Sequence, residues 1–396
     1  MIVAKFGGTS VADSNCINRV LDIIENNSEQ LVVVVSALSG VTNLIQESAN
    51  LAANGDLKYQ DILSQIEKRH FTCIKELIPI KNQSRVLSHV KQQINTLSTL
   101  YEGVYLLREL SPRTKDHMLG FGELLSYFII AKAAESRNID VGYENAREFI
   151  FTKNDLTANA VDYNKSFAAI KAYFKKATDQ VTIVPGFVAS DEEGAPTTLG
   201  RGGSDLTAAL IASALEVRQL EIWTDVSGMF TAHPFYVKQA RAIEQLSYHE
   251  AMELSHFGAK VIYPPTLQPV TEKNIAVLVK NTFKPEDKGT LISGDKKSNT
   301  QAVRGISYIE NIALLTLEGS GMIGIPGYSK KLLSVLAKHK INVVMMTQAS
   351  SEHSICVGIE NEHALLAKKM IEEDFGYEIE SKKINPITIE DKLAII

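Results

Sequence analysis

Lys5-Phe6-Gly7-Gly8-Thr9-Ser10 sets a cation, two glycines and two hydroxyls side by side near the start of the chain. Gly7 and Gly8 let backbone amides approach an anion, Thr9 and Ser10 add donors, and the N-terminus of a following helix favours negative charge. Lys5 supplies the compensating charge. A plain strand-to-helix turn also accounts for the bare Gly-Gly, and the absence of GxxxxGK[ST] excludes an ordinary P-loop. A second such turn is Leu199-Gly200-Arg201-Gly202-Gly203-Ser204-Asp205. Three glycines around one arginine fill no core and cost conformational entropy, so they suit a backbone that approaches a charged ligand. Arg201 can grip a carboxylate or phosphate with two parallel hydrogen bonds, and Ser204 can donate at a helix start. Asp205 is either a ligand-side acid or a first-turn helix acid.

Two further segments end on chemistry. Ile222-Trp223-Thr224-Asp225 closes an apolar run on polar residues, where parallel sheets place ligands, although a routine Asp-containing turn has the same pattern. Phe257-Gly258-Ala259-Lys260 follows a segment opened by Ser247-x-x-Glu250, which reads as a capping box. Gly319-x-Gly321-x-x-Gly324 matches a dinucleotide fingerprint, but the next strand ends in Thr347-Gln348 with no acid for a ribose, so a nicotinamide site is not expected. The nine histidines are dispersed, and the three cysteines, Cys16, Cys73 and Cys356, have neither zinc spacing nor a disulfide framework.

The elements that must hold these residues follow from hydrophobic patterning. Ile2–Phe6, Leu31–Val35, Val181–Pro185, Leu220–Thr224 and Ala276–Lys280 read as buried strands, being short, apolar and rich in Val and Ile. Between them lie helical segments near Asn15–Ile24, Asn43–Ala53, Glu123–Ala134, Ser204–Leu215 and Tyr248–His256. That alternation predicts a three-layer α/β/α unit with a mainly parallel sheet. From about Asp56 to Asp116 the chain reads as a helical excursion that walls or lids a site. The turn-rich stretch from Pro285 to Thr300 marks a boundary, giving a first domain over 1–290 and a second over 303–385. The second has strand, helix, strand, strand, helix, strand order, with strands at Ile312–Leu317, Asn342–Met346, Ser354–Ile359 and Tyr377–Ser381, which is the ferredoxin-like pattern. Another strand at Leu393–Ile396 reads as the start of a further unit over 386–396.

Composition narrows the class. The 396 residues are 45% hydrophobic and 22% charged, as in soluble globular proteins. The longest clean apolar run, Leu31–Val35, is far short of the roughly 18 residues of a membrane span. No leader pattern opens the chain, so a cytoplasmic enzyme is expected. A charge balance of 41 − 46 = −5 argues against nucleic acid as a partner and makes any phosphate site local.

Taken in order, Lys5 to Ser10, Ser36-Ala37 with Thr42, Gly122-Glu123, Gly186-Phe187, Leu199 to Asp205, Trp223-Thr224-Asp225 and Phe257 to Lys260 resemble the aspartate kinases of the amino-acid kinase superfamily. The resemblance covers nearly the whole chain. The second domain resembles the family's regulatory ACT region, and Thr347 to Ile355 is similar to the threonine-responsive bifunctional enzymes that carry a homoserine dehydrogenase downstream. It implies ATP, carrying Mg2+, as donor and L-aspartate as acceptor. It places Lys5, Gly7, Gly8, Thr9, Thr224, Asp225, Phe230 and Lys260 on the nucleotide, and Ser36, Thr42, Glu123, Phe187, Arg201 and Ser204 on aspartate. Lys5, Arg201 and Asp205 are then the catalytic set, Asp205 meeting either the substrate ammonium or groups around the metal; the metal's protein ligands stay unassigned. A sibling kinase acting on another amino-acid carboxylate, or a non-catalytic amino-acid-sensing ACT protein, are the alternative readings.

The chain also departs from the family pattern. Phe230 stands where a tyrosine is usual, His233-Pro234-Phe235 where Asp-Pro-Arg is usual, and Tyr263-Pro264 where His-Pro is usual. Loss of an arginine and a phenol hydroxyl implies weaker nucleotide binding. The resemblance further implies a threonine or lysine effector and a homo-oligomer joined through the ACT region. If the second ACT unit stops at its opening strand, an unpaired edge and blunted threonine inhibition are expected.

Overall fold

Leu31–Val35 shows why a parallel sheet forms at the centre of this chain: all five residues are buried. In the computed structural model, which describes residues 1–153, 160–256, 261–294 and 303–396, this strand lies inside an eight-stranded sheet. The order across the sheet is Gln245–Ser247, Thr290–Ser293, Ala276–Asn281, Gln219–Thr224, Ile2–Phe6, Leu31–Val35, Val181–Pro185 and Val141–Tyr143. Every neighbouring pair is parallel except Ala276–Asn281 with Thr290–Ser293. Side chains alternate between two cores. Ile2, Ala4, Phe6, Val33 and Val35 face the helices Ser14–Glu25, Val41–Asn54 and Phe121–Ser136, whereas Val3, Val32 and Val34 face Tyr163–Phe174 and Gly203–Leu215. Burial on both faces removes the polar alternation of a half-exposed strand and leaves near-continuous Val and Ile.

Residues between Asp56 and Asp116 form helices Tyr59–Leu77, Ile80–Leu107 and Pro112–Leu119. They pack behind Val41–Asn54, with the Tyr101 hydroxyl donating to the Ile45 carbonyl at 3.1 Å. They are a buttress rather than the expected wall or lid, because none of their residues lines the cavity described below.

The chain divides into units Met1–Gly305 and Ile306–Ile396. The first extends past the expected limit at residue 290: Thr290–Ser293 is a strand of its sheet, and Arg304 pairs with Glu250 at 3.2 Å. Glu250 also closes the capping box with Ser247, accepting from the Ser247 N–H at 2.8 Å while its own N–H reaches the Ser247 hydroxyl at 3.2 Å.

The second unit has sheet order Met345–Gln348, Ser354–Glu360, Ile309–Glu318, Thr388–Ile395, all antiparallel, with helices Tyr328–Lys338 and Ala364–Asp374. That is the ferredoxin-like arrangement, with two corrections. Tyr377–Ser381 is not a strand; Gly376–Glu380 is a short helix. Alternation would put Tyr377 and Ile379 on one face, but Tyr377 is 71% exposed while Phe375 is fully buried and Ile379 packs on the core, the spacing of a helical turn. The fourth strand is Thr388–Ile395, longer than the expected Leu393–Ile396, and it pairs with Ile309–Glu318 in this same sheet. Gly319 and Gly321 prove to be packing glycines: a Cβ at either would meet the Lys383–Ile384 backbone at 2.7 Å or less, and the Gly321 N–H donates to Lys383 at 2.9 Å.

Candidate active site

Strand ends gather the sequence-selected residues. A cavity of about 240 Å³ opens where the carboxyl ends of Ile2–Phe6, Leu31–Val35 and Val181–Pro185 meet the starts of helices Phe121–Ser136 and Gly203–Leu215. Parallel sheets place ligands at this position. Lys5 enters from the first strand, Ser36 and Thr42 from the turn after the second, Glu123 from one helix, Phe187 from beyond the third strand, and Ser204 and Asp205 from the other helix.

Two acids face this space from helix first turns, where the helix dipole favours negative charge. Asp205 forms an ion pair with Lys5, each side chain only 12% exposed. Asp205 is thus a first-turn acid of helix Gly203–Leu215 and also part of the cavity wall. Glu123 is 4% exposed, and its Oε2 has no hydrogen-bond partner among the described residues. Burial pushes its carboxyl up to about 8, opposed by the N–H groups of Ala37 and Glu123 and by the Lys5 charge. The Oε2 oxygen left without a partner at the cavity wall can accept from a cationic donor, and an ammonium fits that need.

Backbone conformation shapes the rest. Phe187 holds φ 69°, a left-handed conformation unusual for an aromatic residue. Its N–H donates to Thr207 Oγ1 at 3.0 Å and its carbonyl accepts from Leu199 at 2.9 Å, which pins it beside the Gly200–Gly203 turn. Gly202 has φ +69°, and a Cβ there would meet the Tyr263 ring at 2.4 Å, so Tyr263 roofs this turn. Arg201 lies between Gly200 and Gly202 but is exposed and outside the cavity lining, with no ion pair among the described residues.

The expected nucleotide residues sit at the ends of adjacent strands, since Phe6 is in register with Trp223. Gly7 donates to the Trp223 carbonyl at 3.1 Å, bringing Gly7, Gly8 and exposed Thr9 beside Thr224 and Asp225. The Thr224 hydroxyl donates to Asp225 at 3.2 Å. Phe230 is half-buried and bridges to Ala242, and Phe235 is 78% exposed. Lys260 lies outside the described residues. Asn281 and Thr282, which pack against this segment, are not singled out by the sequence patterns above; the available signal is that the apolar run to Val279 ends on the polar Lys280-Asn281-Thr282.

Residues 1–281 match the amino acid kinase family and residues 315–375 match an ACT domain. Bifunctional aspartokinase/homoserine dehydrogenase 1, chloroplastic, of Zea mays is 33% identical over 401 residues, covering 100% of this chain and 44% of that protein. Lysine-sensitive aspartokinase 3 of Escherichia coli (strain K12) is 32% identical over 362 residues, covering 91% of this chain and 78% of that protein. Among solved structures, E. coli aspartokinase III in complex with aspartate and ADP matches with a TM-score of 0.82 at 29% identity, covering 100% of this chain and 86% of that one. The chain spans less than half the length of the bifunctional relatives it matches.

Proposed function

Because the chain belongs to the amino acid kinase family and, within it, to the aspartokinases, we propose that it transfers the γ-phosphoryl group of ATP to the side-chain carboxylate of L-aspartate. The product is 4-phospho-L-aspartate, the acyl phosphate that opens lysine, threonine and methionine biosynthesis. The observation that carries this reading is the cavity that Ser36, Thr42, Ser204 and the Lys5–Asp205 pair line together with a buried Glu123 whose Oε2 has no partner among the described residues. The acceptor carboxylate is ionised at neutral pH, so no general base is required. Catalysis then consists of aligning two anions and neutralising the charge that spreads during transfer. Glu123 takes the ammonium of aspartate, the hydroxyls of Ser36, Thr42 and Ser204 bind its oxygens, and Arg201 on its exposed turn takes the α-carboxylate. Lys5 stands between acceptor and donor.

On the nucleotide side, Gly7, Gly8 and Thr9 offer amides and a hydroxyl to phosphate, with Thr224, Asp225 and Phe230 alongside and Lys260 the expected second cation. Among the described residues, the metal-spaced group of acids and histidine is Glu360, Glu362 and His363, in the second unit. A Mg2+ carried by ATP fits the first unit better than a protein cage, with Asp205 and Asp225 the carboxylates able to steady it. When bound, it neutralises phosphate charge. Phe235→Arg should lower the KM for ATP about tenfold to a hundredfold and leave that for aspartate unchanged, since a charge-assisted contact contributes roughly 1.5 to 3 kcal/mol. Steady-state kinetics in both substrates checks this, and an unchanged ATP constant means another cation already serves.

The second unit is proposed to bind a threonine or lysine effector and to join copies of the chain. Its edge strand Met345–Gln348 is exposed along its whole length, with Met345 and Met346 38% and 37% exposed, and an open edge pairs with other chains. Light scattering with and without each amino acid should show a self-associated species. A monomer at all concentrations would count against the proposal. The activity itself is tested by ADP release across a panel of amino acids. Aspartate alone should support turnover; equal turnover with glutamate would favour a sibling carboxylate kinase.

A further inference from the structure

Thr282 lies one residue beyond strand Ala276–Asn281 and is 1% exposed. Its N–H donates to the Thr224 carbonyl at 2.8 Å, and its hydroxyl meets that of Ser10 at 2.7 Å. Ser10 donates to the Trp223 carbonyl at 3.4 Å. Either hydroxyl can donate in the 2.7 Å pair, so the contact holds whichever way the two protons turn. One buried side chain thus ties the Gly7–Ser10 turn to the neighbouring strand end that bears Thr224 and Asp225. Asn281 extends the tie: its Nδ2 donates to Ser227 at 2.9 Å, and Ser227 donates to Asp287 at 2.5 Å, holding the loop that follows Asp225.

We propose that Thr282 is a positioning residue for the nucleotide, fixing the spacing between the glycine turn and the Thr224–Asp225 segment without touching ATP itself. The inference rests on the assignment of those two segments to ATP. It also predicts selectivity. Ser36, Glu123, Phe187 and Ser204 come from other elements, so loosening this tie should spare aspartate.

Thr282→Val keeps the shape and removes the hydroxyl, whereas Thr282→Ser keeps the hydroxyl. Calorimetric titration with ATP in the absence of aspartate reads nucleotide binding without turnover. The expected result is a Kd and a KM for ATP raised about tenfold in Thr282→Val, the loss of roughly one buried hydrogen bond, with the KM for aspartate within about twofold of wild type. Thr282→Ser should restore ATP binding. If Thr282→Val does not fold, Ser10→Ala removes the same contact from the other side and should give the same split. Unchanged ATP binding, equal weakening toward both substrates, or no rescue by serine would overturn the inference. A wild-type chain that binds ATP but releases no ADP with aspartate would sink the activity alone, leaving the binding result to judge Thr282; one that binds no ATP would sink both.

Discussion

Glu123→Gln should cut kcat/KM for aspartate by about a hundredfold or more while raising the midpoint of thermal unfolding at pH 7. The activity loss follows from removing one partner of a buried charge pair, which typically costs about 2 to 5 kcal/mol. The stability gain follows from the same burial. The folded protein holds the Glu123 carboxyl protonated up to about 8, while the unfolded chain loses that proton near 4.5. A group with a raised folded value gives stability that is fully present below the unfolded value and is lost as pH rises through the folded one. Between pH 4.5 and 8 the wild type therefore loses stability that the Gln variant, which carries no proton to lose, retains. Catalysis shows the opposite slope. An ammonium needs the ionised carboxylate, so the wild-type KM for aspartate should fall about tenfold from pH 7 to pH 9, with proton release on binding near neutrality. Calorimetry in buffers of different ionisation enthalpy reads that proton. A Gln variant with normal aspartate kinetics would remove Glu123 from the site.

The Lys5–Asp205 pair gives the second large effect. Lys5→Met should lower turnover by about 10² to 10³, the usual cost of losing a preorganised charge at a developing anion. It should also cost about 3 kcal/mol of stability, because Asp205 is left largely buried without its cation. Changing Lys5 to Met and Asp205 to Asn together should recover most of that stability and none of the activity. Denaturant titration and steady-state kinetics on the three variants separate the two roles. Recovery of activity in the double variant would mean that the pair holds the fold and does no chemistry.

What could be read from the sequence divides along physical lines. Buried parallel strands such as Leu31–Val35 announce themselves because nothing polar interrupts them, and the glycine turns after Phe6 and Leu199 stand out because glycine has no packing value there. Strands of three or four residues, Val141–Tyr143, Gln245–Ser247 and Thr290–Ser293, lie below the length at which alternation carries a signal. Phe375-Gly376-Tyr377-Glu378-Ile379 reads as alternating until burial shows a spacing of four. In the site, residue types on single turns were legible, but their convergence was not. The positive φ of Phe187, the missing partner of Glu123 and the buried Ser10–Thr282 contact depend on residues brought together from strands far apart in the chain.

In the proposed reaction a phosphoryl group reaches the side-chain carboxylate of aspartate. Acyl phosphates react with hydroxylamine, so the most direct measurement is incubation with ATP, Mg2+ and hydroxylamine, followed by identification of the product by mass. Aspartate β-hydroxamate should form in step with ADP, be lost in Lys5→Met and be absent when glutamate replaces aspartate. ADP release with no hydroxamate, or hydroxamate from glutamate at the same rate, would contradict it.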